Sequence, residues 1–131
     1  MLAWRLALPM LRRALPLRSL TRLLWPRRRS GNRRPDRVAL VAALVARLYG
    51  TGGRRDEDNC LERCLLAYRF LAQAGAEPQL ECGVRMVGGQ LRGHAWIVMD
   101  GRPLAHVDES IESYTPMVTF GPQGALMGPP G

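Results

Sequence analysis

Residues 60–86, CLERCLLAYRFLAQAGAEPQLECGVRM, change their period in mid-course. Up to Ala74, the residues Leu61, Cys64, Leu65, Tyr68 and Ala72 recur at the three- and four-residue spacing of one helix face. The cluster Asp56-Glu57-Asp58-Asn59 supplies a cap ahead of Cys60 and Gly75 closes the far end, which predicts a helix over 60–74. After Pro78, Leu80, Cys82, Val84 and Met86 alternate with Gln79, Glu81, Gly83 and Arg85, the two-residue period of a half-buried strand. A helix that hands over to a strand series points to an α+β class, with N-terminal helices packed on a small antiparallel sheet.

Further along the chain, Gly88-Gly89 marks a turn, Leu91 to Met99 a second strand, and Asp100-Gly101 a hairpin signal before a third strand over Arg102 to Val107. From Pro116 onward Gly, Pro and small residues dominate, and residues 116–131 read as a tail without regular structure. In the other direction, Val38 to Tyr49 predicts a strong helix with Pro35 in its first turn and Gly50 at its stop. It is apolar almost all round, the pattern of a helix buried behind the core. Leu2 to Arg29 reads as one or two short helices broken at Pro9 and Pro16 and ended by Pro26. The chain therefore divides into a basic helical segment (1–34), a core (35–115) and the tail (116–131).

Charge follows the same division. Residues 1–55 carry 14 of the 19 arginines and one acid, Asp36, whereas the rest carries 5 arginines and 10 acids; no lysine occurs anywhere. A basic arm of this kind suits an acidic peptide or protein, an anionic lipid surface or nucleic acid, and charge alone does not choose among them. The longest apolar run of the arm, Leu6 to Leu11, is far short of the roughly 20 residues of a membrane span, and arginines interrupt the stretch where a secretory signal needs a continuous apolar region. An Arg-rich, acid-free helix also resembles a transit peptide or an interfacial helix; a docking helix is the preferred reading. Without lysine there is no Walker A motif, and no G-x-G-x-x-G turn is present, so nucleotide chemistry has no site. Three cysteines cannot close a disulfide framework, which favours a reduced, cytoplasmic setting.

The chemistry centres on Cys60 and His94. A thiol at a helix start faces unpaired amides and the positive end of the helix dipole, which favour the thiolate and can also receive an oxyanion. His94, in Gly93-His94-Ala95-Trp96, can take the thiol proton and return it to a leaving amine, with Trp96 on the same strand face as a cleft wall. Asp108 is the candidate to orient the imidazole. A two-residue Asp100-Gly101 turn sets His94 opposite Val107 and leaves Asp108 on the other face. A three-residue Met99-Asp100-Gly101 loop sets His94 opposite His106 with Asp108 diagonal on the same face, and this register is favoured. The plain alternatives are a core cysteine and a structural strand histidine. A zinc set of Cys60, Cys64, Cys82 and His94 is also conceivable, in a zinc-stabilised nucleic-acid binder, although its spacing lacks the paired short loops of usual zinc sites. So is a non-catalytic module that docks an acidic partner through residues 1–34.

The ordered block Cys60-Leu61-Glu62-Arg63, apolar helix, Gly75, Gly83-Val84-Arg85, His94-Ala95-Trp96 and Asp100-Gly101 resembles the leader peptidases of lasso-peptide biosynthesis, of the transglutaminase-like, papain-type superfamily. The likeness spans about residues 35–110 and extends to the Arg-rich N-terminal stretch. It implies a papain-like core and a cysteine protease with nucleophile Cys60 and general base His94. The family's acid usually falls near His106, where this chain departs from the pattern and Asp108 stands two residues later. The resemblance further implies, for so short a member, the precursor leader peptide as substrate, a separate leader-recognition protein and an ATP-dependent macrolactam cyclase as partners, with no cofactor or metal of its own. Neither nucleic acid nor a membrane is an expected partner.

Overall fold

The structure is a computed structural model that describes residues 2–29, 31–32, 34–49, 56–104 and 113–127. Four helices precede the sheet: α1 (Leu2–Ala14), α2 (Leu17–Leu24), α3 (Pro35–Tyr49) and α4 (Asp56–Gln73). The strands β1 (Gln79–Val87), β2 (Gln90–Met99), β3 (Arg102–Pro103) and β4 (Thr115–Phe120) form one antiparallel sheet in the order β3-β2-β1-β4. The α+β class is thus as the change of period predicts. Among the described residues no helix is long and apolar enough to cross a membrane.

Helix α4 is the centre of the packing. Five consecutive residues, Cys64 to Tyr68, are buried, which covers more than a full turn and requires neighbours on every side. The sheet takes one side through Leu80, Ala95, Ile97, Met99 and Phe120; Leu8, Leu20 and Leu24 of α1 and α2 and Val38, Val41 and Val45 of α3 join the same apolar cluster. The C-terminus of α4 ends in a Schellman turn on left-handed Gly75, with the Ala76 amide donating to Leu71 O and the Gly75 amide to Ala72 O. Arg29 then donates to the carbonyls of Ala72 and Ala76 at 2.9 and 2.6 Å, placing a cation where the helix dipole favours one.

Four expectations need correction. The boundary at residue 34 is no break in packing, since Leu8, Leu20 and Leu24 have no exposed surface and belong to the main core. Helix α1 runs through Pro9, whose missing amide forfeits a single ladder bond within 13 residues. Helix α3 is a surface helix: Val38, Val41 and Val45 face inward while Leu40 and Leu44 are exposed. Residues 116–127 are not an unstructured tail. β4 pairs along β1 beside a bulge at Cys82/Gly83, and Pro116 is tolerated because the strand lies at the sheet edge. Beyond it, the fully buried Tyr68 hydroxyl donates to Gly121 O at 2.6 Å and accepts from the Gly124 amide at 2.9 Å. A buried hydroxyl demands such partners, and it orders this segment through contacts far away in sequence.

Burial of α2 sets a direct test. Leu20→Ala lowers the unfolding free energy by about 2–5 kcal/mol in a urea titration, whereas Leu23→Ala, at a half-exposed position, changes it by about 0.5 kcal/mol or less. Equal effects would place α2 outside the core.

Candidate active site

The strand β2 alternates cleanly. Ala95, Ile97 and Met99 point to the helices, whereas Trp96 and Val98 form a second cluster with Tyr114 on the outer face. His94 shares that outer face: its ring stacks on Tyr114 (centroids 5.0 Å apart, planes 27° apart) and lies 6.1 Å from the Trp96 ring. Arg85 sits over Tyr114 at 4.7 Å and donates to the Ser113 hydroxyl at 2.8 Å. Gly83 makes this face possible, since a Cβ there would lie 2.7 Å from both the Trp96 ring and the Thr115 carbonyl oxygen.

Cys60 reaches β2 from the helix side, at the residue next to His94. In an antiparallel strand a residue's amide and carbonyl point to the same neighbour and alternate along the chain. Ile97 accepts from the Leu104 amide at 2.9 Å on the β3 side, so Ala95 presents its polar groups to that side as well. There the two α4 thiols meet it: the Ala95 amide bonds the Cys60 thiol, and the Cys64 Sγ donates to the Ala95 carbonyl at 3.3 Å. β3 ends at Pro103, whose partner Val98 lies three residues further along β2 than Ala95. Cys60 is therefore held on the β3 side of β2 at Ala95, and His94 rises from the adjacent residue on the outer face.

Helix α4 starts at Asp56 rather than at Cys60, because Asp56, Glu57 and Asp58 suit the first turn of a helix and extend it. Cys60 is its fifth residue, with its amide inside the helix ladder, so the first-turn amides invoked for it lie further upstream. Burial pushes the Cys60 thiol up from its ordinary value, while the Ala95 amide, the charge of Arg63, the Leu61 amide and the charge of Arg12 pull it down. The amide support thus comes chiefly from the strand. Burial also raises Cys64, far more strongly, and pushes Cys82 up to about 12. Arg12 belongs to α1 and forms an ion pair with Glu62 at 3.7 Å, so the N-terminal segment contributes charge to the site.

The favoured register is corrected. Val98 pairs with Pro103 and Met99 with Arg102, which leaves the two-residue turn Asp100-Gly101, both at positive φ (55° and 77°), as the right-handed twist of a hairpin prefers. Asp108 and His106 lie outside the described residues. Among the described residues, which include Cys60, Cys64, Cys82 and His94, no group of three or more His, Cys, Asp or Glu could hold a metal ion, so the zinc alternative is not assembled. Tyr114, Arg85 and Arg12 were not legible as site residues: each arrives through a cross-strand or helix contact, with no local motif.

Raised thiols and a raised phenol make stability fall in alkali. Cys82 moves from 9.0 to about 12 and Tyr68 from 10.0 to about 12, both chiefly through burial. The unfolded chain ionises first, so their contribution is whole below about pH 9 and is lost as pH rises towards about 12. The urea midpoint falls over that window, and Cys82→Ala removes part of the fall; a midpoint flat to about pH 11 would contradict the burial of both groups.

The model of the transglutaminase-like superfamily matches residues 1–119, nearly the whole chain and including the basic helices. No curated protein and no solved structure matches significantly. The superfamily consists in general of cysteine-protease-like enzymes, in keeping with a thiol held against the strand that carries a histidine. With four helices, an antiparallel sheet and Cys60 on the helix that packs against β2, the chain belongs to the transglutaminase-like superfamily.

Proposed function

We propose that the chain is a cysteine protease that removes the leader peptide from a ribosomally made lasso-peptide precursor. The observation that carries this reading is the Cys60 thiol held on the amide of Ala95, the residue that follows His94 in β2. Cys60 attacks the scissile carbonyl and His94 takes the thiol proton. His94 returns that proton to the leaving amine as the thioester forms. Water, deprotonated by His94, then releases the acyl group and restores the thiol. Asp108 is proposed to orient the imidazole, with His106 as the rival for that role; a regular continuation of the two-residue turn would turn both away from the His94 face, so either role requires the chain to leave that register after Leu104.

The assignment to lasso precursors rests on the order Cys60-Leu61-Glu62-Arg63, Gly83-Val84-Arg85, His94-Ala95-Trp96 and Asp100-Gly101 within a transglutaminase-like chain. Its working partners would be a leader-recognition protein that presents the precursor and an ATP-dependent macrolactam cyclase that consumes the new amino terminus. The exposed Arg13, Arg18, Arg22, Arg27 and Arg28 offer a basic surface for an acidic partner, while Arg29 and Arg69 are engaged internally. The binding-module alternative would use that surface and leave Cys60 without a task.

The test is to incubate the protein with the precursor and the recognition protein and weigh the products. Cys60→Ala abolishes cleavage, whereas Cys64→Ala and Cys82→Ala keep much of it; undiminished cleavage by Cys60→Ala would overturn the assignment. Asp108→Asn lowers turnover by up to about 10,000-fold and by more than His106→Ala does. The reverse ranking would move the orienting role to His106.

A further inference from the structure

The outer face of the sheet holds a cavity of about 470 Å³ lined by Glu81, Trp96, Val98, Gly101, Pro103, Tyr114 and Pro116. Its size is that of a small-ligand or side-chain site. Two of its walls, Trp96 and Tyr114, are the rings that contact His94, so the cavity begins one ring away from the imidazole. Its walls are apolar and aromatic except for one acid, Glu81, which stands opposite Trp96 in the β1–β2 pairing.

Glu81 is under-compensated. It is half-buried, and desolvation raises its carboxyl while a hydrogen bond from the Trp96 side chain partly offsets the rise. No cation among the described residues pairs with it: the nearby Arg85 is turned to Tyr114 and Ser113. On its other flank the cross-strand partner Thr119 is buried outside the cavity wall, so it brings no cation to the carboxylate either. A desolvated carboxylate without a cation, set beside an aromatic ring in the cavity wall, leaves a site that a cation carrying N–H donors would complete.

We propose that this cavity binds a cationic side chain of the peptide substrate, a guanidinium or ammonium paired with the Glu81 carboxylate against Trp96. The word substrate rests on the protease reading above; the cation site itself does not. A cation seated there would set the peptide register beside His94, and Glu81 would act as a specificity residue distinct from the thiol chemistry.

The test titrates the full chain with N-acetyl-arginine N-methylamide and, separately, with N-acetyl-norleucine N-methylamide, following the Trp96 indole N–H resonance. The arginine probe shifts the resonance saturably, and the norleucine probe binds at least about tenfold more weakly, a difference of about 1.4 kcal/mol. Glu81→Gln lowers arginine affinity by a similar factor, while Glu81→Asp, which keeps the charge, retains the preference for arginine. Equal affinity of the two probes overturns the proposal. So does undiminished arginine binding in a Glu81→Gln protein that melts like the parent; if that variant fails to fold, the probe pair and Glu81→Asp decide. Cys60→Ala binds the arginine probe as the parent does. Cleavage by Cys60→Ala would therefore defeat the protease reading and leave the cation site standing, whereas a failed titration defeats the cation site alone.

Discussion

Burial of α4 over more than a full turn is the constraint from which the architecture follows. A helix with Cys64, Leu65, Leu66, Ala67 and Tyr68 all buried cannot lie on a sheet with one face in solvent. The sheet covers one side, α3 a second, and α1 with α2 the remainder, so the basic N-terminal segment is drawn into the core although its composition is that of a free arm. Its arginines are correspondingly divided. Arg29 caps the α4 carbonyls and lies over Trp25, Arg12 pairs with Glu62, and Arg13, Arg18, Arg22, Arg27 and Arg28 face solvent.

The same helix delivers its thiols to one residue of β2. Ala95 is small enough for close approach of α4, and its amide and carbonyl point to the β3 side at a level the described part of β3 does not reach. Two opposed effects act on Cys60: burial holds the proton on, and the Ala95 amide with Arg63 and Arg12 favours its loss. Burial dominates Cys64 despite the charge and hydrogen bond of Arg63. The two cysteines, four residues apart on one helix, thus differ in how far burial outweighs the groups that favour the thiolate, and Cys60 alone of the two has the Ala95 amide among those groups.

The outer face follows a separate logic. Cross-strand pairing sets Glu81 beside Trp96 and Gly83 beside His94, and the absence of a Cβ at Gly83 lets the indole lie close over β1. Tyr114, brought in at the start of β4, stacks on His94 and receives Arg85. The imidazole thus stands in an aromatic layer whose continuation is the Glu81 cavity.

Local pattern alone was sufficient for the α+β class, for α3 and α4 within a few residues and for the β1–β2 hairpin. These features depend on periodicity, caps and turn residues, which act over a few positions along the chain. Only the tertiary structure decided the rest, since those outcomes depend on groups distant in sequence. The order of residues 116–127 comes from the Tyr68 hydroxyl and the free edge of β1; the burial of Leu8, Leu20 and Leu24 comes from the exposed flank of α4. The start of α4 at Asp56 and the two-residue turn at Asp100-Gly101 were both open in the sequence, because caps and hairpin loops admit neighbouring registers of similar energy until packing selects one. The Cys60 thiol could be placed on a helix from sequence, but its support by Ala95 of a strand 35 residues away could be found only once α4 and β2 were packed together.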